Sequence, residues 1–279
     1  MGGYDFPGSN SNIDLYALTG WIPERTSIKQ KDDLSFKKDE VFRKLFQRFH
    51  KGDVLVTLAT GEMSDAEAER AGLVPTHAYA MLDIREVNGI RLFLLKNPWA
   101  HLRWKGNYSE TDNRNWTPDM MKALSYDPKN AQNFDNGVFW VIHILNSLWI
   151  SYTFYFGIIL NLFPRFNCKV LCYFQIDYDS LCRFFDVFYM NWNPELFKYS
   201  YAVHHLWNAG KGPAKDMYNI SANPQYSLEI NERGSGAIWV LLSRHITEID
   251  DFKDNKEYIT LLVYKKDGQK VYYPYGPGK

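Results

Sequence analysis

Apolar residues recur along this chain with two periods, and the switches between them mark out its elements. Ile13-Asp14-Leu15-Tyr16-Ala17-Leu18 reads as a short helix stopped by Gly20 and Pro23. Residues 24–38 are charged and read as a loop. Asp39 to His50 places Val41, Leu45 and Phe49 at helical spacing, with acids first and bases last, as the helix dipole favours. Gly52 ends that helix, and Val54 to Ala59 reads as a buried strand. Ser64 followed by Glu67 is a capping box that opens a short helix running to Gly72.

The clearest local signal comes next. Thr76 to Arg85 and Ile90 to Lys96 read as two strands around Asn88-Gly89, a hairpin turn pair. Residues 97–120 form a Trp-rich loop, and Thr117-Pro118 starts a short helix toward Leu124. Asn136 to Trp140 is strand-like and Asp179 to Tyr189 reads as helix. Past Asn193-Pro194 the texture becomes alternating. Gln225–Ile230, Ala237–His245, Tyr258–Lys265 and Lys270–Tyr273 read as antiparallel strands of a second, all-β domain.

Length and composition narrow the classes. With 279 residues, the chain is long enough for one or two domains with a real core. Lys+Arg and Asp+Glu are 32 each, so the basic excess of a nucleic-acid binder is absent. Three cysteines (Cys168, Cys172 and Cys182) are too few for a disulfide framework, and the N-terminus has no signal-peptide pattern. A reducing, cytoplasmic setting is the expectation.

Several segments then resemble one family. Gly72 to Met81 (GLVPTHAYAM), followed by Lys96 to Ser109 (KNPWAHLRWKGNYS), is similar to the second half of a calpain protease domain. Gly8 to Glu24 resembles the loop and helix that open that half, and NGVFW with IDYDSLCRFFDVFYMNWNP resembles its closing strand and helix. Among calpains the resemblance is closest to the PalB-like branch. It implies an α+β, β-rich fold. A papain-like His/Asn subdomain (antiparallel sheet with short helices, residues 1–194) would be followed by a partial all-β sandwich (195–279). A calpain-type sandwich needs seven or eight strands, and four are legible here, so the tail reads as truncated.

The implied activity is that of a cysteine-type endopeptidase acting on proteins or peptides. His77 would be the general base and acid, Asn97 would fix its tautomer, and Trp99 would cover the pair from water. Gly8 to Asn12 would lie along the substrate groove. The family's nucleophile belongs to the first half of the protease domain, at a helix N-terminus that lowers the thiol pKa. No such motif occurs here, so the nucleophile is expected from a missing Cys-bearing half, and this chain alone should be inactive. The alternative class is a non-catalytic, protease-derived interaction or membrane-associated scaffold.

Ladder geometry constrains the pair. A two-residue Asn88-Gly89 loop pairs Val87 with Ile90, and an unbroken ladder then sets Asn97 opposite Ala80, on the face away from His77. A three-residue loop with Gly89 left-handed sets Asn97 opposite Tyr79 instead, on the His77 face. The expectation is this bulged hairpin, or another register shift of odd parity.

One segment breaks the composition. Residues 141–175 hold two charged residues in 35 (Arg165 and Lys169), against 62 in the remaining 244. Within it, Val141 to Phe163 is apolar and long enough to span a bilayer. Excising 141–175 joins NGVFW directly to IDYDSL, the family's strand-to-helix junction. The piece opens on Val, whose codons begin GT, and ends in Leu-Cys-Tyr-Phe-Gln, which a thymine-rich tract ending in CAG can encode. We therefore read it as an insertion, an intron translated in frame, rather than a membrane span.

Other clusters carry weaker chemistry. His204 and His205 are adjacent, so on a strand they face opposite ways and share no metal. Glu248, Asp250, Asp251 and Asp254 read as a solvated acidic loop without EF-hand spacing. The family resemblance allows calcium as a cofactor, but no acidic set matches residue by residue, so no metal or cofactor site is assigned. Arg103, Lys105 and Arg114 among Trp104, Tyr108 and Trp116 read as an aromatic groove wall rather than an RNA surface.

Overall fold

The computed structural model describes residues 9–29, 36–97, 102–128, 172–206, 218–231, 236–243, 259–265 and 268–274. The expectations for Gly8, Trp99, Asn136–Trp140, Val141–Phe163, Cys168 and the acidic loop at 248–254 lie outside these residues. The chain divides into two units, Ser9–Leu196 and the part from Phe197 onward.

The first unit follows the hydrophobic pattern closely. Helix α1 (Ser11–Thr19) is capped by the Asn10 side chain and closed by left-handed Gly20. Strand β1 (Ile22–Ser27) precedes helix α2 (Lys38–Phe49), strand β2 (Val54–Thr60) and helix α3 (Asp65–Ala71). The Ser64 side chain caps α3 by accepting from the Glu67 N–H. Gly72 closes it at φ +71°, and a Cβ there would lie 1.8 Å from the Arg103 carbonyl oxygen. Strands β3 (Ala78–Val87) and β4 (Ile90–Asn97) form the expected hairpin, and Thr117 caps helix α4 (Pro118–Leu124). Strand β5 (Cys172–Asp177), helix α5 (Tyr178–Phe184) and strand β6 (Phe185–Trp192) complete the unit with a one-turn 3-10 helix at Pro194–Leu196.

The six strands form one antiparallel sheet in the order β1-β6-β2-β3-β4-β5. Phe42 and Leu45 of α2 are buried with Leu58, Tyr79, Ile84, Phe93, Leu95, Phe174 and Phe188 from the sheet. A smaller cluster of Leu92, Tyr108, Trp116 and Met120 packs on the opposite side of β4. The fold is thus mixed α+β, an antiparallel sheet with a few short helices.

Three expectations need correction. The charged stretch after Gly20 is not all loop, because Ile22–Ser27 forms edge strand β1 against β6. An edge position tolerates Pro23, and polar Glu24 and Arg25 fit a half-exposed strand. The predicted helix at 179–189 stops at Phe184, and Phe185–Trp192 forms the well-buried strand β6 between β1 and β2. Its aromatic and β-branched residues suit a pleated surface packed on both sides.

Beyond Phe197 no strand forms among the described residues, although four were expected. Among the described residues there, alternating apolar side chains are exposed: Ile238, Leu261 and Val263 are 55%, 46% and 82% exposed. Local ties do occur. Gln225 exchanges two hydrogen bonds with the Val271 backbone, at 2.6 and 2.8 Å, and the Tyr264 hydroxyl donates to the Pro274 carbonyl at 2.8 Å.

Candidate functional site

His77 sits just before the first residue of β3, half-buried, and Asn97 ends β4 almost fully buried. The two strands bring them together: His77 Nε2 lies 3.2 Å from Asn97 Oδ1. The amide's other end donates from Nδ2 to the Leu102 carbonyl at 3.1 Å. That second bond fixes which end of the amide faces the ring. Because Oδ1 can only accept, Nε2 of the neutral imidazole must carry the proton, and Nδ1 becomes the basic nitrogen.

The register reaches this outcome by the second of the two expected routes. The turn is the plain two-residue type, pairing Val87 with Ile90, with left-handed Asn88 (φ 52°) and Gly89 (φ 77°). The odd shift lies further along the ladder. Asp83 pairs with Leu94 and Met81 with Leu95, so Leu82 is an extra residue outside the ladder. Met81 and Leu95, both buried, therefore share the core face, and two residues on in each direction that face carries Tyr79 and Asn97.

Tyr79 walls the site. Its ring stands edge-on to the His77 ring, with centroids 5.2 Å apart and planes at 85°. Phe174 and Phe185 pack against Tyr79 in turn. The Tyr79 hydroxyl accepts from the buried Val74 N–H at 2.9 Å, and burial pushes its pKa up to about 12. Burial also holds the His77 pKa below its usual value, and the Asn97 bond offsets this in part. The pair is therefore set to hold a neutral imidazole near pH 7.

The backbone before His77 is fastened separately. Thr60 Oγ1 accepts from the His77 N–H at 3.0 Å and donates to the Val74 carbonyl at 2.6 Å. Thr76, immediately before His77, is left-handed at φ 47°. Nothing in the spacing of apolar residues marked Thr60; a threonine at a strand end reads as an ordinary β-former.

Trp99 lies outside the described residues, and the other residues singled out are placed as follows. Cys182 lies on α5, where burial raises its thiol pKa to about 11. Ser9 and Asn10 are exposed, and Asn12 is buried as a structural tie. The Asn12 side chain donates to the Glu24 carbonyl at 3.2 Å, and the Asn12 backbone carbonyl accepts from Asn191 Nδ2 at 2.9 Å. His204 and His205 are exposed in the second unit.

The aromatic groove wall is corrected. Trp104, Tyr108 and Trp116 are buried core residues, and the indole N–H groups of Trp104 and Trp116 donate to the Asn107 and Ser109 carbonyls, each at 2.7 Å. Arg103 pairs with Glu110, and Lys105 donates to the Glu69 carbonyl at 2.8 Å. No helix among the described residues is long and apolar enough to cross a membrane.

Comparison with known proteins identifies the family. A family model described as calpain family cysteine protease matches residues 4–144. Calpain-7 of Homo sapiens and that of Mus musculus are each 54% identical to the chain over 278 residues, 99% of this chain and 30% of theirs. The calpain-like protease palB/RIM13 of Aspergillus oryzae is 34% identical over 281 residues, 97% of this chain and 27% of its own. The chain thus spans less than a third of these relatives' length. With a matched family model across half the sequence and a His–Asn pair at the end of a β-hairpin, this chain belongs to the calpain family of cysteine proteases.

Proposed function

We propose that this chain provides the His/Asn half of a cysteine endopeptidase site, with protein or peptide substrates. The observation that carries the reading is the 3.2 Å contact between His77 Nε2 and buried Asn97 Oδ1. Asn97 holds the ring so that Nδ1 faces outward as the base. Nδ1 takes the proton from a cysteine thiol as sulfur attacks the scissile carbonyl. The imidazolium then returns that proton to the leaving amine, and a water, deprotonated the same way, releases the acyl group.

The thiol comes from a Cys-bearing half-domain outside this segment. Cys182 is poorly suited to the task, since its raised pKa leaves almost no thiolate near neutral pH. Trp99 adjoins the pair in sequence and would shield it from water. Residues 141–175 read as an insertion in the strand-to-helix link, of which Cys172–Gln175 form part of β5 beside Asn97 and Phe174 packs on Tyr79. The cytoplasm suits a thiol-dependent site.

A fluorogenic peptide assay separates this from a scaffold function. The 279-residue chain alone should show no hydrolysis, and the same chain joined to a Cys-bearing half should hydrolyse the peptide. Inactivity of the joined protein would favour the non-catalytic reading.

A further inference from the structure

In a regular antiparallel ladder, the backbone N–H of His77 would donate to the Thr60 carbonyl across the strand pair. Half of that exchange is present: the Thr60 N–H donates to the His77 carbonyl at 3.0 Å. The other half is replaced. The His77 N–H goes instead to the Thr60 hydroxyl, also at 3.0 Å. The chain leaves the ladder here because Thr76 is left-handed, and the Thr76 N–H crosses to the Gly61 carbonyl at 3.1 Å. The Thr60 hydroxyl donates to the buried Val74 carbonyl at 2.6 Å, with the His77 carbonyl a second, longer acceptor at 3.2 Å.

One buried hydroxyl therefore ties both ends of the Val74–His77 turn to β2. Without it, two backbone groups lose their partners, and the turn is held at the point where the imidazole begins only by the Thr60 N–H to His77 carbonyl and Thr76 N–H to Gly61 carbonyl bonds. A ring that must meet Asn97 at 3.2 Å tolerates little movement of its own Cα.

We propose that Thr60 is a positioning residue for His77, setting through its hydroxyl the backbone from which the imidazole reaches Asn97. The proposal rests on the reading of His77 and Asn97 as a working pair. Its test is ring-nitrogen NMR of His77 in the 279-residue chain, which reports the tautomer directly. Wild type should hold the Nε2–H form. Thr60→Val should lose that preference and give mixed tautomers, whereas Thr60→Ser, which keeps the hydroxyl, should retain it. A purely structural role would lower the melting temperature of Thr60→Val but leave the tautomer unchanged, and that result overturns the proposal. Should Thr60→Val fail to fold, Thr60→Ser decides: mixed tautomers there overturn the proposal, and a retained Nε2–H form supports it. Asn97→Ala is the control. If it leaves the His77 tautomer unaltered, the pair itself is misread, whatever Thr60 does.

Discussion

Asn97 meets His77, with 3.2 Å between Oδ1 and Nε2, although the two-residue turn between their strands would by itself send them to opposite faces. Leu82 resolves the conflict by standing outside the ladder between Met81 and Asp83. Removing Leu82 leaves every observed pair intact, because Met81 already lies opposite Leu95. A chain lacking Leu82 should therefore fold and keep the His77 Nε2–H signal. Removing Ala80 shifts everything before it by one and turns His77 to the other face, so that signal should be lost. Equal behaviour of the two deletions would contradict this account of the register.

The His77 environment makes a pH prediction. Burial holds the folded-state pKa below the ordinary histidine value of 6.5. Between those two values the unfolded chain binds more protons than the native one, so stability rises with pH there. The contribution is present above pH 6.5 and is lost as pH falls through the folded value. Chemical denaturation midpoints at pH 7.5 and 5 should thus differ less in His77→Gln than in wild type. Asn97→Ala removes the bond that partly restores the pKa, so its midpoints should differ more. Identical pH dependence in all three proteins would refute the assignment.

Cys182 gives a chemical check. With its thiol raised to about 11 and packed in α5, it should stay unmodified by iodoacetamide at pH 8 in the native chain. It should react fully in urea. Native-state alkylation of Cys182 at the rate of a free thiol, read by peptide mass spectrometry, would show that it is available as a nucleophile after all.

Much of the sheet and its helices was legible because each carries its own local chemistry. Ser64 and Thr117 announce α3 and α4 through hydroxyls that cap, and Asn88-Gly89 announces the hairpin through left-handed backbone. What escaped depended on partners distant in sequence. Glu24 and Arg25 look like loop until β6 pairs with them. Phe185 to Trp192 carries no helical stop signal before it, and only its place between two strands settles its form. The pairing of His77 with Asn97 was readable as a parity requirement, but parity alone does not say which residue steps out. Thr60 escaped because its hydroxyl acts on a turn more than a dozen residues away.

Strand β5 bears on the apolar insertion. Phe174 lies opposite Leu95 and packs edge-on to Tyr79, with ring centroids 5.8 Å apart. In a chain without 141–175, Trp140 would directly precede Ile176, and the register would set Phe139 opposite Leu95. Either segment therefore supplies an aromatic ring at the same place in the core. The deletion should also remove Gln175, whose buried Oε1 has no partner among the described residues and costs about 1–3 kcal/mol. The deleted chain should fold with a melting temperature no lower than the parent's. Phe139→Ala should then cost it about 3–5 kcal/mol. Failure of the deletion to fold would show that 141–175 is integral to the domain.

The central claim is that His77 carries the proton and Asn97 holds it in place. The most direct measurement is kcat/KM for a fluorogenic peptide, using the protein that joins this chain to a Cys-bearing half. His77→Ala should lower it by about 10³-fold or more, as loss of a general base does. Asn97→Ala should lower it by about 10²-fold through misplacement of the ring. Hydrolysis that survives His77→Ala undiminished would contradict the account.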